Sequence, residues 1–214
     1  MPARQSPAPA LPDRPQIYLI TPPEFEPEPF SARLAAVLDL HDIACIRLAL
    51  ASKDHDRVAR IADALREIAH ARDVALVIET HVQLVERLGL DGVHLTDGAR
   101  SVRKVRKDLG ADAIVGAFCG ASQHDGMTAG EAGADYVAFG PIGQSPLGDG
   151  TLAGDELFAW WSEVIEVPVV AEGWLTAERI ATLAPMTDFL GIGEEIWSQD
   201  DAGAALTALL APLG

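Results

Sequence analysis

The stretch "LGLDGVHLTDGA", Leu88 to Ala99, places Asp91, His94 and Asp97 at three-residue intervals where an apolar run breaks into a glycine turn. Carboxylates and an imidazole are the side chains with which an enzyme holds a metal ion or moves a proton. The stretch then closes on Ala99, which offers no such chemistry. Other reactive side chains stand where apolar runs end: Arg47, Glu79, His81, Cys119, Glu172, Glu194 and Glu195.

Eight short runs must position these residues. They are residues 16–21, 43–50, 74–79, 91–95, 113–118, 135–140, 167–173 and 188–193. The runs are β-branched or aromatic and mostly apolar on both faces, the pattern of strands buried on both sides of a parallel sheet. Helical periodicity fills the intervals, most clearly around Val58, Ile61, Ala62, Leu65 and Ile68. Asp54, Ser101, Asp155 and Thr176 are the expected helix N-caps. Asp91, Asp135 and Asp188 form a faint repeat, each just ahead of a strand. This alternation reads as an α/β (β/α)8 TIM barrel. A doubly wound open sheet is the alternative, but its first strand usually runs into a glycine-rich turn; here it runs into "TPPEFEPEP".

In a barrel, function sits at the C-terminal strand ends. Candidate ligand-binding positions there are Arg47, Glu79, His81, His94, Asp97 and Phe118, followed by Gly140, Ser145, Gly173, Trp174 and Gly193. Several of the strand-end residues have a structural reading beside the functional one. His94 fits a satisfied barrel-interior histidine, and Cys119 a small buried hydrophobe with no activating histidine adjacent in sequence. Arg47, in a buried strand, needs a partner, and Glu79 on the next strand is a candidate. Trp174 can stack on a flat heteroaromatic ligand or plug the mouth, whereas Trp160 and Trp161 read as helix–barrel packing.

Composition narrows the partners. The 214 residues carry a net charge of −16, with 49% hydrophobic and 22% charged residues. Nucleic acid and anionic membrane surfaces both require clustered Lys and Arg, so neither is expected. A small-molecule ligand is expected, and homo-oligomerisation is left open. Two cysteines without metal spacing suggest free thiols in a reducing cytoplasm. Residues 1–15, "MPARQSPAPALPDRP", lack the apolar stretch of a secretory signal and read as a disordered arm before a single domain over 16–214.

The strand ends resemble those of the thiamine phosphate synthase family, which includes a thiazole tautomerase branch. "IYLIT" resembles its first strand, "LGLDGVHL" its fourth, "AGADYVAFGPI" its sixth with the Gly-Pro turn, and "VPVVAEGW" its seventh. The resemblance implies coupling of an aminopyrimidine methyl diphosphate to a thiazole phosphate, with Mg²⁺ assisting departure of diphosphate. It also shows where this chain departs from the family pattern. Arg47 takes a Gln place, while Ala49 and Ala51 take an Arg and a Lys place, with Lys53 two residues beyond. Thr80 and Ala99 stand where two Mg²⁺ carboxylates are expected, and Phe118 where a serine is expected. Ser145, Leu147 and Gly148 replace two threonines and a lysine, Pro141 a tautomerase histidine, and Trp174 the second glycine of a pair.

Removing one such contact costs about 2.7–4 kcal/mol of transition-state stabilisation. The expectation is therefore a family member divergent at its catalytic positions. It binds a small thiazole- or pyrimidine-like ligand, with the coupling impaired or lost, and no metal or cofactor is expected. One alternative is an active synthase, a transferase, that recruits the shifted carboxylates Glu79 and Asp97 for Mg²⁺. Another is a non-catalytic regulatory or scaffold barrel.

Overall fold

The computed structural model describes residues 14–214. Eight parallel strands close in chain order into a barrel. They are β1 (Gln16–Ile20), β2 (Ile43–Leu48), β3 (Ala75–Glu79), β4 (Gly92–Leu95), β5 (Ile114–Phe118), β6 (Tyr136–Phe139), β7 (Val169–Glu172) and β8 (Phe189–Ile192). Each lies within one of the eight expected runs, so the chain is a (β/α)8 barrel. The helices are α1 (Pro27–Leu40), α2 (His55–His70), α3 (Val82–Leu88), α4 (Val102–Leu109), α5 (Gln123–Glu131), α6 (Asp155–Val164), α7 (Ala177–Leu183), a short α8 (Glu194–Trp197) and α9 (Ala202–Leu210). Residues 1–13 of the expected arm lie outside the described residues. Arg14 donates to the Gly214 carbonyl at 3.3 Å, and Pro15 is buried.

The period of two along each strand sorts side chains into two cores. One set, including Leu19, Ile46, Leu76, Val93 and Phe139, packs outward against helix residues such as Leu34, Leu65 and Phe158. The other, Tyr18, Cys45, Val77, Tyr136, Ala138 and Val170, packs inside the barrel. Gly116 makes the interior possible at one point, because a Cβ there would fall 2.0 Å from Cζ of Tyr136.

Helix starts follow the expected caps in part. Asp54 accepts the N–H groups of Asp56 and Arg57, and Thr176 that of Arg179. Ser101 occupies the N-cap place of α4 without capping it; its hydroxyl donates instead to Asp97. Gly154 caps α6, and Asp155 lies in the first turn, paired with Arg179. Trp161 is buried against Phe139 and donates to the Val167 carbonyl at 2.8 Å, the packing role expected of it.

The aspartate repeat has a physical role. Asp91 accepts the N–H of Leu76 at 2.7 Å, Asp135 that of Val115 at 2.7 Å, and Asp188 that of Val169 at 2.8 Å. Each aspartate also donates its own N–H to the carbonyl of the same residue. Each thus clamps the start of one strand to the start of the strand before it, at β3–β4, β5–β6 and β7–β8. Such clamps satisfy strand-entrance amides that would otherwise lack a partner.

Candidate functional site

The residues singled out at the strand ends separate into three places. The first is inside the barrel. Arg47 on β2 is 4% exposed and reaches across to Glu172 on β7, which is 1% exposed. Its Nη2 lies 2.5 Å from Glu172 Oε2 and its Nη1 3.2 Å from Oε1. Such a fork-to-fork pair is the strong form of the interaction. Glu79, the partner expected from the adjacent strand, is secondary, its Oε1 standing 3.6 Å from Arg47 Nε. That Nε is buried without a hydrogen-bond partner.

Arg47 Nη1 also lies 2.8 Å from His94 Nε2, and His94 Nδ1 lies 2.9 Å from the Tyr136 hydroxyl. An arginine can only donate. His94 Nε2 is therefore the acceptor, so His94 is neutral with its proton on Nδ1, donating to Tyr136. Tyr136 in turn is 2.6 Å from the Tyr18 hydroxyl. Burial and the Arg47 charge both hold the His94 pKa well below its ordinary value. Burial is also the largest influence on Arg47 and works to lower its pKa; the charge and hydrogen bonds of Glu172, with the charge of Glu79, outweigh it, and the net direction is upward. Burial raises the half-buried Glu79, partly offset by Arg47. His94 is thus the satisfied interior histidine of the structural reading.

The second place is a cleft of about 850 Å³ over the ends of β4, β5 and β6. Phe118, half-buried, forms part of its floor, and Asp97, Asp125, Asp149 and Arg100 line it. Asp97 is exposed and accepts from the Ser101 hydroxyl at 2.6 Å. Cys119 is buried and its thiol is pushed up to about 12 by burial, which suits a packing residue and not a nucleophile. Ser145 accepts the Leu147 N–H at 3.3 Å within the β6–α6 loop. Gly140 starts that loop where there is no room for a side chain, since a Cβ would lie 2.3 Å from the Glu172 carbonyl oxygen.

Glu79 and Asp97, the acids that an active synthase would recruit for Mg²⁺, do not stand together. Among the described residues, no three His, Cys, Asp or Glu side chains form a group that could hold a metal ion. Glu79 keeps regular strand pairing opposite His94, inward toward Arg47, and does not line the cleft that holds Asp97. The chain leaves strand geometry only at Thr80, whose φ is 59°. His81 follows, half-buried, with Nδ1 donating to the Glu79 carbonyl at 2.8 Å.

The third place joins the β7 and β8 loops. Gly173 has φ of 90° and Trp174 φ of 66°, and Trp174 projects outward, 52% exposed. Glu194 is exposed, whereas Glu195 turns inward. Its Oε2 accepts the Gly193 N–H at 2.7 Å and its Oε1 the Leu175 N–H at 2.9 Å.

Sequence reasoning did not name Tyr18 and Tyr136, and it named Glu172 and Glu195 as strand-end acids without placing them among the candidate ligand-binding positions. Taken in the order Tyr18, Tyr136, Glu172 and Glu195, they differ in how visible they were. For the first three, a signal was present in the strand period: each sits on the inward parity of its strand. Glu195 carries no comparable signal, because its role depends on a loop twenty positions away.

Comparison with known proteins agrees with this architecture. A family model described as thiamine monophosphate synthase matches residues 17–192. A thiamine-phosphate synthase of Rhodospirillum centenum is 42% identical over 198 residues, covering 90% of this chain and 94% of that one. Another, of Erythrobacter litoralis, is 38% identical over 195 residues, covering 88% and 91%. The solved structure of a thiamine phosphate pyrophosphorylase from Pyrococcus furiosus superposes with a TM-score of 0.77 at 21% identity, over 93% of this chain and 97% of that one. Matched along nearly its whole described length, this chain belongs to the thiamine monophosphate synthase family.

Proposed function

We propose that this member of the family binds a small thiazole- or pyrimidine-like ligand at the barrel mouth and has lost efficient coupling with displacement of diphosphate. The observation that carries the reading is the charge at the mouth. Three carboxylates, Asp97, Asp125 and Asp149, line the cleft against one guanidinium, Arg100. The interior cation, Arg47, is already neutralised by Glu172. A departing diphosphate develops negative charge that must be met by cations or metal, and this mouth repels it. In the family Mg²⁺ supplies that charge; here the acids that would recruit it, Glu79 and Asp97, are engaged apart. Phe118 and the exposed Trp174 offer flat surfaces suited to a heteroaromatic ring. We place the protein in a reducing compartment, because both thiols, Cys45 and Cys119, are free and buried.

The test mixes the protein with both family substrates and Mg²⁺ and measures thiamine phosphate and released diphosphate. The expected result is turnover far below the ordinary enzyme range of ~10 s⁻¹, with calorimetric binding of one substrate's dephosphorylated ring compound. A second reading, an active synthase, is favoured by the 42% identity to a chain of that name. Turnover near the ordinary range establishes it and overturns the first. Undetectable binding of every ring compound points to a scaffold instead.

A further inference from the structure

Residues 180–187 and 202–213 contain no Asp, Glu, Lys, Arg or His, in a chain whose net charge is −16. The fold brings the two stretches together, because α9 packs against both α7 and α1, and the closing turn Ala211–Leu213 packs against α7. Ala181, Pro185, Ala208, Ala211 and Pro212 are exposed there. Large apolar side chains stand at both edges. Leu40, 69% exposed, reaches Gly203 at the start of α9. Val164, 56% exposed, ends α6, which packs against the turn Ala184–Met186. Among the described residues, every α-helix other than α9 exposes at least one charged side chain. We infer that this uncharged face docks on the same face of a second copy of the chain, forming a weak two-fold dimer. Leu40, Val164 and the turn Ala184–Met186 each precede a strand, so the face lies toward the strand-entrance end and both barrel mouths stay open.

Charge identifies the occupant. On a two-fold axis the same patch meets itself, so it must be self-complementary. A charged face of so acidic a chain brings its own acids back against themselves, and like charges opposed across an interface are strongly disfavoured. A different protein is under no such constraint, since basic residues on it would meet these acids. Twenty uncharged residues on adjoining helices are what a self-contact of this chain requires. Acids beyond the face are screened over about 8 Å at physiological ionic strength. The edge carries both signs, as interface rims do: Arg33 donates to the Trp197 and Gln199 carbonyls, next to Asp200 and Asp201. The helix is firmly seated. His41 Nε2 donates to the Gly203 carbonyl at 3.0 Å and ties α1 to α9, and Asp201 caps α9 through the Ala204 N–H at 2.9 Å. Size sets the strength. Twelve helical residues span about 18 Å and packed helices lie about 8–10 Å apart, so α7 and α9 offer roughly 350 Å² per copy. A patch of that size marks an interaction site, and its burial lies at the weak, reversible end of protein interfaces.

The experiment is sedimentation equilibrium of the full-length protein at concentrations up to about 100 μM, which captures micromolar dissociation constants. The expected result is reversible association to two chains that tightens as salt is raised. Screening weakens the repulsion between two acidic bodies and leaves a neutral contact intact, whereas an interface of ion pairs would loosen. Ala208→Glu and Ala208→Lys, at an exposed position of α9, should each weaken association at least about tenfold. An equimolar mixture of the two variants should restore it, because opposite charges then meet across the contact. Ala64→Glu adds the same charge at an exposed position of α2 and should leave association unchanged. A single-chain mass at every concentration and salt overturns the inference and leaves the face to a different protein. So does association that both Ala208 variants leave intact, or that Ala64→Glu weakens equally, since the contact is then not on this face. No readout involves coupling or ligand binding, so this inference and the proposed function fail separately.

Discussion

At the N-terminal end of the barrel, Asp91, Asp135 and Asp188 each turn a carboxylate onto one main-chain N–H of the preceding strand. At the C-terminal end, Glu172, Glu79 and His94 turn instead onto a single side chain, Arg47, from three different strands. The first arrangement repeats, because strand-entrance amides recur with every pair of strands. The second occurs once, because one guanidinium closes the barrel. A repeated local clamp can lose one member and keep the rest, whereas a shared centre cannot. Removing Glu172 leaves a charge buried without its partner, and removing Asp188 leaves only the neutral Val169 amide.

That difference sets the largest expected effect. Glu172→Ala should lower the free energy of unfolding by about 3–5 kcal/mol, the usual cost of breaking a buried pair, measured by urea denaturation. Replacing both partners, Arg47→Met with Glu172→Leu, should recover most of this loss, because no charge is then left buried. A loss below about 1 kcal/mol for Glu172→Ala would show Arg47 to be solvated from the mouth and the contrast between the two ends to be false. At the other end, Asp188→Ala removes the acceptor of the Val169 N–H, in a residue only 1% exposed. The expected loss is smaller, about 1–3 kcal/mol, and Asp188→Asn, which keeps an acceptor oxygen, should lose less. If Asp188→Ala costs as much as Glu172→Ala, the clamps are not local.

Buried titratable groups at both ends respond to pH, with opposite signs. His94 is neutral in the fold and its pKa is depressed, first by burial and then by Arg47. Below its ordinary value of 6.5, the unfolded chain binds a proton that the folded one does not. Stability is therefore fully present above that pH and falls as the pH drops below it, by up to about 1.4 kcal/mol per unit. Glu79 and Asp188 act with the opposite sign, because burial raises their folded pKa values. Their contribution is present below the unfolded carboxylate range and lost as the pH rises through the raised values. Urea midpoints between pH 7 and pH 5.5 should slope downward toward acid in the wild type and flatten in His94→Gln. An equal slope in both would place the titration elsewhere.

Legibility in the sequence follows the same division. The eight strands and the aspartate repeat were readable because both are local patterns. The spacing of Asp91, His94 and Asp97 was readable too, but it does not converge. Along a strand each residue advances about 3.3 Å, so the three side chains end at the strand entrance, in the interior and on the outer loop. On a helix the same interval would have made one face. Glu79 looked like the partner of Arg47 because it sits on the adjacent strand. The actual partner lies across the barrel, on β7, and only closure of the sheet brings it near. Glu195 was visible as an acid after Gly193, but its direction depends on the Leu175 amide.

The smallest expected effect concerns the metal and bears on the mouth alone. If Glu79 remains with Arg47 and Asp97 with Ser101, then Mg²⁺, even with inorganic diphosphate present, does not find these two carboxylates together. Thermal unfolding should then occur at the same temperature in EDTA, in Mg²⁺ and in Mg²⁺ with diphosphate. Any ligand of the folded state alone stabilises it by mass action, about 2.7 kcal/mol at a hundred times its dissociation constant, so a functional site would be plain in such a scan. A saturable rise lost in Asp97→Ala and in Glu79→Gln would mean that the two carboxylates meet around the metal when diphosphate arrives. Glu79 would then have to leave Arg47, whose remaining partner Glu172 still neutralises it. The mouth, unlike the clamped end, would be built to rearrange.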